Sequence, residues 1–396
     1  MKIAISGCGV AGPALAWWLL HYGHEPLLIE EAPRLRDGGY IIDFWGIGYD
    51  IAERMGLVPQ LREAGYQVEE VRFVDERGHR NGGFPVSIFN RLTHDRFTSL
   101  RRSDVSGTIF RALNGRAEAL FGESIRAVDD RGGHVHLEFE KGLPRDVDLL
   151  IGADGLHSRV RSCVFGPEER YERFLGYYVA AFETSGYRPR DELIYMTYSE
   201  PGRQVSRFSM RDDRTMFLFV FADAVPGGRF PTTDAERRTA LRSLFGESGW
   251  ECAQILDAMD GADGIYFDRV SQIRMDAWAK GRTALVGDAG ACVSLLAGEG
   301  TGLAIAEAYV LAGELHRAEG DHALAFDRYQ KRLQPFLLAK QESARKFATS
   351  FAPKTAFGIR VRNLATGIMR LPGLGGLFLG GSVRDDIDLP DDEGSH

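Results

Sequence analysis

Three clusters of small and acidic residues have spacings that chemistry could use. The first is Gly7-Cys-Gly-Val-Ala-Gly12, a GxGxxG pattern between an apolar run, Lys2 to Ser6, and an apolar helical stretch, Val10 to Tyr22. In such a turn the first glycine permits a tight reversal, the second lets a pyrophosphate approach, and the third lets helix pack on strand. The helix N-terminus adds free amides and a partial positive charge. Glu30 closes the next apolar run, from Pro26, where a carboxylate can reach both hydroxyls of a ribose. Gly7, Gly9, Ala11, Gly12, Glu30 and the adjacent Glu31 are therefore candidate dinucleotide-binding residues. A glycine-rich turn of some other α/β protein is the competing reading, and strand, helix and acid together weigh against it.

Two further motifs choose among dinucleotides. Asp154-Gly155-Leu-His-Ser158-Arg-Val-Arg161 follows a buried-type strand, Val147 to Ala153, and Gly287-Asp288 ends another that starts at Arg282. Asp288, at a strand's carboxyl end, can accept a hydrogen bond from a ribityl hydroxyl. Gly298-Glu-Gly300-Thr301-Gly302 then opens a helix. Its amides and dipole would face a flavin ring where the reduced form carries negative charge.

In this order the motifs resemble the single-component FAD-dependent aromatic hydroxylases, the para-hydroxybenzoate hydroxylase superfamily, over nearly the whole chain. Gly39-Tyr-Ile-Ile-Asp43-Phe and Ser294-Leu-Leu-Ala-Gly298 are similar to the branch of tetracycline-inactivating monooxygenases. The resemblance implies FAD as cofactor, NAD(P)H as transient reductant and O2 as co-substrate. A flavin C4a-hydroperoxide would hydroxylate or epoxidise a bulky aromatic or polyene, polyketide-like small molecule. Carried over by residue, it implies Glu30 at the adenosine ribose, Arg102 on the FAD chain and Asp43 near the flavin. It also implies Asp288 with Gly298, Gly300, Thr301 and Gly302 at ribityl and ring, Asp154 serving FAD and NAD(P)H, and Arg36 at the nicotinamide cofactor. Three departures stand out: Leu295 replaces a common proline, Gly290-Ala-Cys-Val lacks a frequent histidine, and Gly302 replaces an asparagine. They leave open a redox-neutral cyclisation or non-oxygenating oxidation on the same fold, and more remotely a non-catalytic FAD- or ligand-binding protein. No acid–base dyad or nucleophilic triad is visible.

The elements that must position these residues predict an α/β fold. A Rossmann-type FAD-binding domain is expected from 1–70, 98–170 and 271–345, with an inserted antiparallel β-sheet substrate domain from 71–97 and 171–270. The insert follows from period-two alternation between Tyr171 and Val270. C-terminal helices and an acidic, mobile tail are expected over 346–396. Helices are expected over 46–65, over 100–120 with Asp104 as a cap, and over 303–316. Trp45, Phe208, Met210 and Phe219, with Phe44, Phe217 and Phe221, suit a large, flat substrate. His134 and His136 read as an exposed pair on a sheet edge rather than a metal site.

Composition narrows the remaining classes. The chain has 396 residues, 44% hydrophobic and 26% charged, which excludes disorder and provides a large core. Its net charge of −8, without a basic block, argues against nucleic acid as a partner. Its longest apolar run, Met216 to Ala222, is far short of the ~20 residues a membrane span needs. Cys8, Cys163, Cys252 and Cys292 lie far apart without a CxxC pair, so a reducing cytoplasm is expected. The expected state is monomer or homodimer.

Overall fold

Short apolar runs that are too brief for helices become the strands of a sheet covered on both faces. In the computed structural model, which describes residues 1–36, 39–222, 225, 228–369, 387 and 389–390, this sheet has six strands. Their order is Ala279–Lys280, Thr283–Leu285, Leu149–Gly152, Lys2–Ser6, Glu25–Glu30, Glu118–Phe121. All pairs are parallel except the first, and Ile3 lies between Leu149 and Pro26. Ile3, Ile5, Leu28, Leu150 and Ile151 are fully buried, each contributing about 1.5–3 kcal/mol by leaving water. The helices Ala11–His21 and Gly300–Arg317 pack together, with the Trp18 ring edge-on to Tyr309 at 4.7 Å.

The alternating region forms a seven-stranded sheet, ordered Tyr266–Ile273, Glu172–Ser185, Arg214–Phe221, Arg203–Ser209, Ile194–Glu200, Glu70–Val74, Arg80–Pro85. It is antiparallel except where Ile194–Glu200 meets Glu70–Val74. Two helices, Asp234–Phe245 and Cys252–Ala258, interrupt the region and cover one sheet face. The first starts with a capping box of Thr233 and Glu236. Phe217, Phe219 and Phe221 face these helices, and the Phe219 ring lies 4.9 Å from Phe245. Phe219 is therefore core beneath the helices, not lining for a substrate as expected.

Other expectations divide at turn residues. The helical stretch 46–65 is two helices, Gly46–Arg54 and Val58–Ala64, separated where Gly56 takes φ 72°. The stretch 100–120 is a strand, Phe97–Arg101, a helix, Arg102–Ala112, and the sheet strand from Glu118, with Asn114 and Gly115 at positive φ between them. Asp104 does not cap that helix; it forms a two-bond ion pair with Arg101 at 3.0 Å. The strand Val135–Phe139, which carries His136 and follows His134, is the centre of a three-stranded sheet, not an edge. His136 bonds Asp146 at 2.6 Å, and no described cluster of His, Cys, Asp or Glu could hold a metal.

Most of the acidic tail, and the loop Gly373 to Gly376, lie outside the described residues. Where the tail is described it is anchored rather than mobile. Ile387 and Leu389 pack on the core, and the Pro390 carbonyl accepts from Tyr309 at 2.6 Å and Arg54 at 3.2 Å. Among the described residues no helix is long and apolar enough to cross a membrane.

The helix Gly46–Arg54 meets the start of Gly300–Arg317 backbone to backbone. A methyl at Gly48 would overlap Gly302 Cα, whereas one at Gly302 would meet Gly48 Cα at an ordinary 3.5 Å. Gly48→Ala should therefore destabilise the chain by about 1–3 kcal/mol through overpacking. Gly302→Ala should change stability by less than ~1 kcal/mol, because gained helix propensity offsets the contact. Urea midpoints of both variants check the contrast, and equal shifts would contradict it.

Candidate cofactor and substrate site

The glycine turn is closed behind and open in front. Gly7 takes φ 105°, and a methyl there would stand 2.5 Å from the Ala153 carbonyl oxygen. A methyl at Gly12 would overlap the Gly7 carbonyl oxygen, so strand and helix meet with no side chain between them. A methyl at Gly9 would meet, among the described residues beyond its chain neighbours, Arg102 Nη2 alone within 4 Å, at 4.0 Å. The fold itself thus does not require glycine at 9, and a group approaching the helix N-terminus would. Ala11 is buried beside Gly287.

Glu30 is fixed at the end of its strand by two backbone donors. Cys8 N–H reaches Oε2 at 2.8 Å and Ala32 N–H reaches Oε1 at 3.0 Å. These leave carboxylate lone pairs for ribose hydroxyls. Arg36 is 77% exposed and stands 3.9 Å from Glu30, while Glu31 is exposed at the surface.

Arg102 opens its helix opposite Asp288, which opens the short helix Asp288–Ala291. Arg102 Nη2 lies 4.0 Å from Asp288 Oδ2, and Asp288 Oδ1 lies 3.9 Å from where a Gly300 methyl would stand. Burial opposes the Arg102 charge, but Tyr40 and Asp288 more than offset it and hold the guanidinium's pKa up. Gly9, Arg102, Asp288 and Gly300 thus line one continuous path. Gly298 takes φ 71° and ends the single turn Leu295–Ala297, and Thr301 is buried at the head of the following helix. Leu295, in place of proline, packs against a buried cluster containing Tyr177, Val179 and Val220.

Asp154 is turned inward. It accepts from Ser158 Oγ at 2.5 Å, Val160 N–H at 3.0 Å and Ser6 Oγ at 3.4 Å, so its carboxylate organises its own turn. It is half-buried, and its expected service to FAD and NAD(P)H would act through this turn. The neighbouring His157 is clamped by Asp268 at 3.2 Å and Glu168 at 2.9 Å, and these bonds push its pKa up to about 10. Tyr266 donates to Asp268 and lies 6.3 Å from Tyr40, ring to ring.

Asp43 sits opposite Ser99 in a two-stranded ribbon and accepts from Ser99 Oγ at 2.6 Å. The residue is exposed, with Tyr195 close by. Burial raises its pKa, partly opposed by the Ser99 bond. Burial, with the charge of Asp43, also raises Tyr195 well above the usual phenol. Tyr195 stacks on Phe208 at 4.7 Å, and register places Met216 beside Phe208 and Glu183 beside Met216. Phe208, Met210 and the half-buried Trp45 share one apolar cluster with Tyr66 and Met216. Ser99, Tyr195, Tyr266, His157 and Glu307 were not foreseen. For Glu307 a signal existed: an acid inside the apolar stretch from Leu303 to Ala312.

A family model described as an FAD binding domain matches residues 1–338. A flavin-dependent monooxygenase from an unknown prokaryotic organism is 33% identical over 380 residues, covering 93% of this chain and 96% of its own. An uncharacterized protein of Mycobacterium tuberculosis is 37% identical over 352 residues, covering 86% of this chain and 91% of its own. The crystal structure of tetracycline destructase Tet(51) superposes with a TM-score of 0.84 at 31% identity, covering 98% of this chain and 99% of its own.

Arg102→Ala should weaken FAD binding by about tenfold or more, because a charge-assisted bond to phosphate is lost. Its side chain is 44% exposed, so the melting temperature of the apoprotein should hardly move. Titration of apoprotein by flavin fluorescence checks this, and unchanged affinity would remove Arg102 from the site. Open glycine turn, fixed Glu30 carboxylate, paired Arg102 and Asp288 and the matching family model converge: the chain belongs to the FAD binding domain family and is an FAD-dependent monooxygenase of the aromatic hydroxylase type.

Proposed function

We propose that this monooxygenase draws electrons from NAD(P)H and oxygenates a bulky, flat phenol, enol or polyene held between the seven-stranded sheet and the FAD ring. The supporting observation is the accessible Asp43, held by Ser99, beside the half-buried Tyr195, whose ring is backed by the buried Phe208 and Met216. A carboxyl beside an aromatic face suits a flat ring that carries a hydroxyl. The tetracycline destructase neighbour favours the same size class. In this reading 1–70, 98–170 and 271–345 hold the cofactor, and 71–97 with 171–270 hold the substrate.

FAD, when bound, supplies the redox chemistry and the oxygen activation. Glu30 would hold its ribose, the Gly7–Gly12 turn and Arg102 its pyrophosphate, and Asp288 with Gly298 to Gly302 its ribityl chain and ring. Asp43, oriented by Ser99, takes the proton of a substrate phenol or enol and so makes the ring a better electron donor. Because burial raises the Asp43 pKa, the group accepts protons only above that raised value. Activity should therefore rise with pH through it.

Asp43→Asn should lower kcat with phenolic substrates by about a hundredfold or more and flatten the acidic limb of the pH profile. Steady-state NADPH oxidation, with mass spectrometry of the product, checks both parts. Strong stimulation by simple benzoates with none by multi-ring phenols would overturn the substrate class.

A further inference from the structure

Glu307 lies in the helix Gly300–Arg317 with 2% of its surface exposed and, among the described residues, no ion pair. Its Oε2 accepts from the Gly287 N–H at 2.8 Å and lies 3.0 Å from the Tyr329 hydroxyl oxygen. That same hydroxyl lies 3.1 Å from the Leu285 carbonyl oxygen. Tyr329 has one proton for two acceptors. With Glu307 ionised, one of these two oxygen contacts is left without a hydrogen. With a proton on Glu307, Tyr329 donates to Leu285 and accepts from Glu307, and every short contact is a hydrogen bond.

The surroundings agree. The helix Ala11–His21 presents Ala11, Ala14, Leu15 and Trp18, none charged. From Gly46–Arg54 the cation is Arg54, which binds the Tyr309 hydroxyl at 2.6 Å instead. From His322–Phe351 come Tyr329 and Arg332, the latter 3.6 Å from Glu314. Asp288, next to Gly287, is an anion and opposes ionisation. Burial first, and Asp288 as a lesser cause, push the Glu307 pKa up to about 8.

The Gly287 amide is the point where this acid meets the cofactor site. Gly287 takes φ 62°, and a methyl there would stand 3.3 Å from Ala11 Cβ. The turn that presents Asp288 is thus wedged between two helices and tied to one of them by Glu307. We propose that Glu307 is a positioning residue, held as the neutral acid, which fixes the Gly287–Asp288 turn for FAD and loosens it on ionisation. The proposal rests on Asp288 as a cofactor ligand.

The sign of the pH effect follows from linkage. Unfolded Glu307 ionises near 4.5 and folded Glu307 near 8, so between these values the folded state binds more protons. Wild type should therefore lose stability relative to Glu307→Gln as pH rises through that window, with a constant gap above it. Glutamine keeps the shape and cannot ionise; with its amide oxygen at the place of Oε2 it accepts from the Gly287 N–H and from Tyr329.

The test measures apoprotein melting temperatures against pH for wild type and E307Q, and FAD affinity by fluorescence at about pH 7 and about pH 9.5. The expected result is a melting-temperature gap that widens through the window. FAD affinity should weaken about tenfold in wild type between the two pH values and less than ~2-fold in E307Q. Parallel melting profiles, or equal weakening of FAD binding, would overturn the proposal. FAD binding to neither protein at any pH would instead overturn the cofactor reading, while the apoprotein profiles still decide the protonation of Glu307. Should E307Q fail to fold, infrared difference spectra of wild type across the same window decide it. The carbonyl band of a buried protonated carboxyl should disappear, and a flat difference spectrum would overturn the proposal.

Discussion

At the carboxyl edge of the six-stranded sheet the turns have little room for side chains. A methyl at Gly7 would strike the Ala153 carbonyl, one at Gly12 the Gly7 carbonyl, and one at Gly287 would crowd Ala11 Cβ. One buried cation bridges the turns that leave this edge. Arg161, fully buried, donates to the Leu156 carbonyl at 2.6 Å, the Ala289 carbonyl at 2.9 Å and Glu168 at 2.7 Å. It so ties the Asp154 turn to the helix that Asp288 begins. Desolvating such a guanidinium costs several kcal/mol, which only full pairing offsets. The proposed cofactor path depends on these turns being held this close.

The polar groups away from that edge are of two kinds. Some are ion-paired: Arg207, nearly inaccessible, is gripped by Glu251 at 2.7 Å and Asp191 at 2.6 Å. Others are carboxyls met only by neutral donors, namely Asp43, Asp154 and Glu307, and desolvation raises the pKa of each. Ion pairs hold structure, whereas carboxyls without a cation are the groups whose protonation a site can use.

Backbone demands are local, and the sequence displays them openly. The glycines at 7, 9 and 12, the acid at 30 and the Gly287–Asp288 pair each announce a turn in the residues that make it. The parallel and antiparallel sheets were legible for the same reason, since burial on one face or two leaves different periods. What alternation does not encode is which face points to the cleft. Phe208 and Phe219 look alike in sequence, yet register pairs Phe208 with Met216 toward Tyr195 and sends Phe219 toward Phe245. Asp154 shows the complementary difficulty: its inward turn depends on Ser6 and Ser158, and the first of these is brought close only by the sheet. Partnerships such as Asp43 with Ser99, or Glu307 with Tyr329, likewise span distances along the chain that no local pattern covers.

The strand order carries a cost during synthesis. Lys2–Ser6 finds Glu25–Glu30 almost at once, but its other neighbour is Leu149–Gly152, and Thr283–Leu285 comes later still. Between these moments a ribosome has produced the large β-rich insertion. Leu149–Gly152 spends that interval with an apolar, unpaired edge, the kind of surface that recruits other nascent chains. The parallel sheet therefore closes only after about three quarters of the polypeptide has emerged, and its last pairing is of the long-range kind that forms slowly.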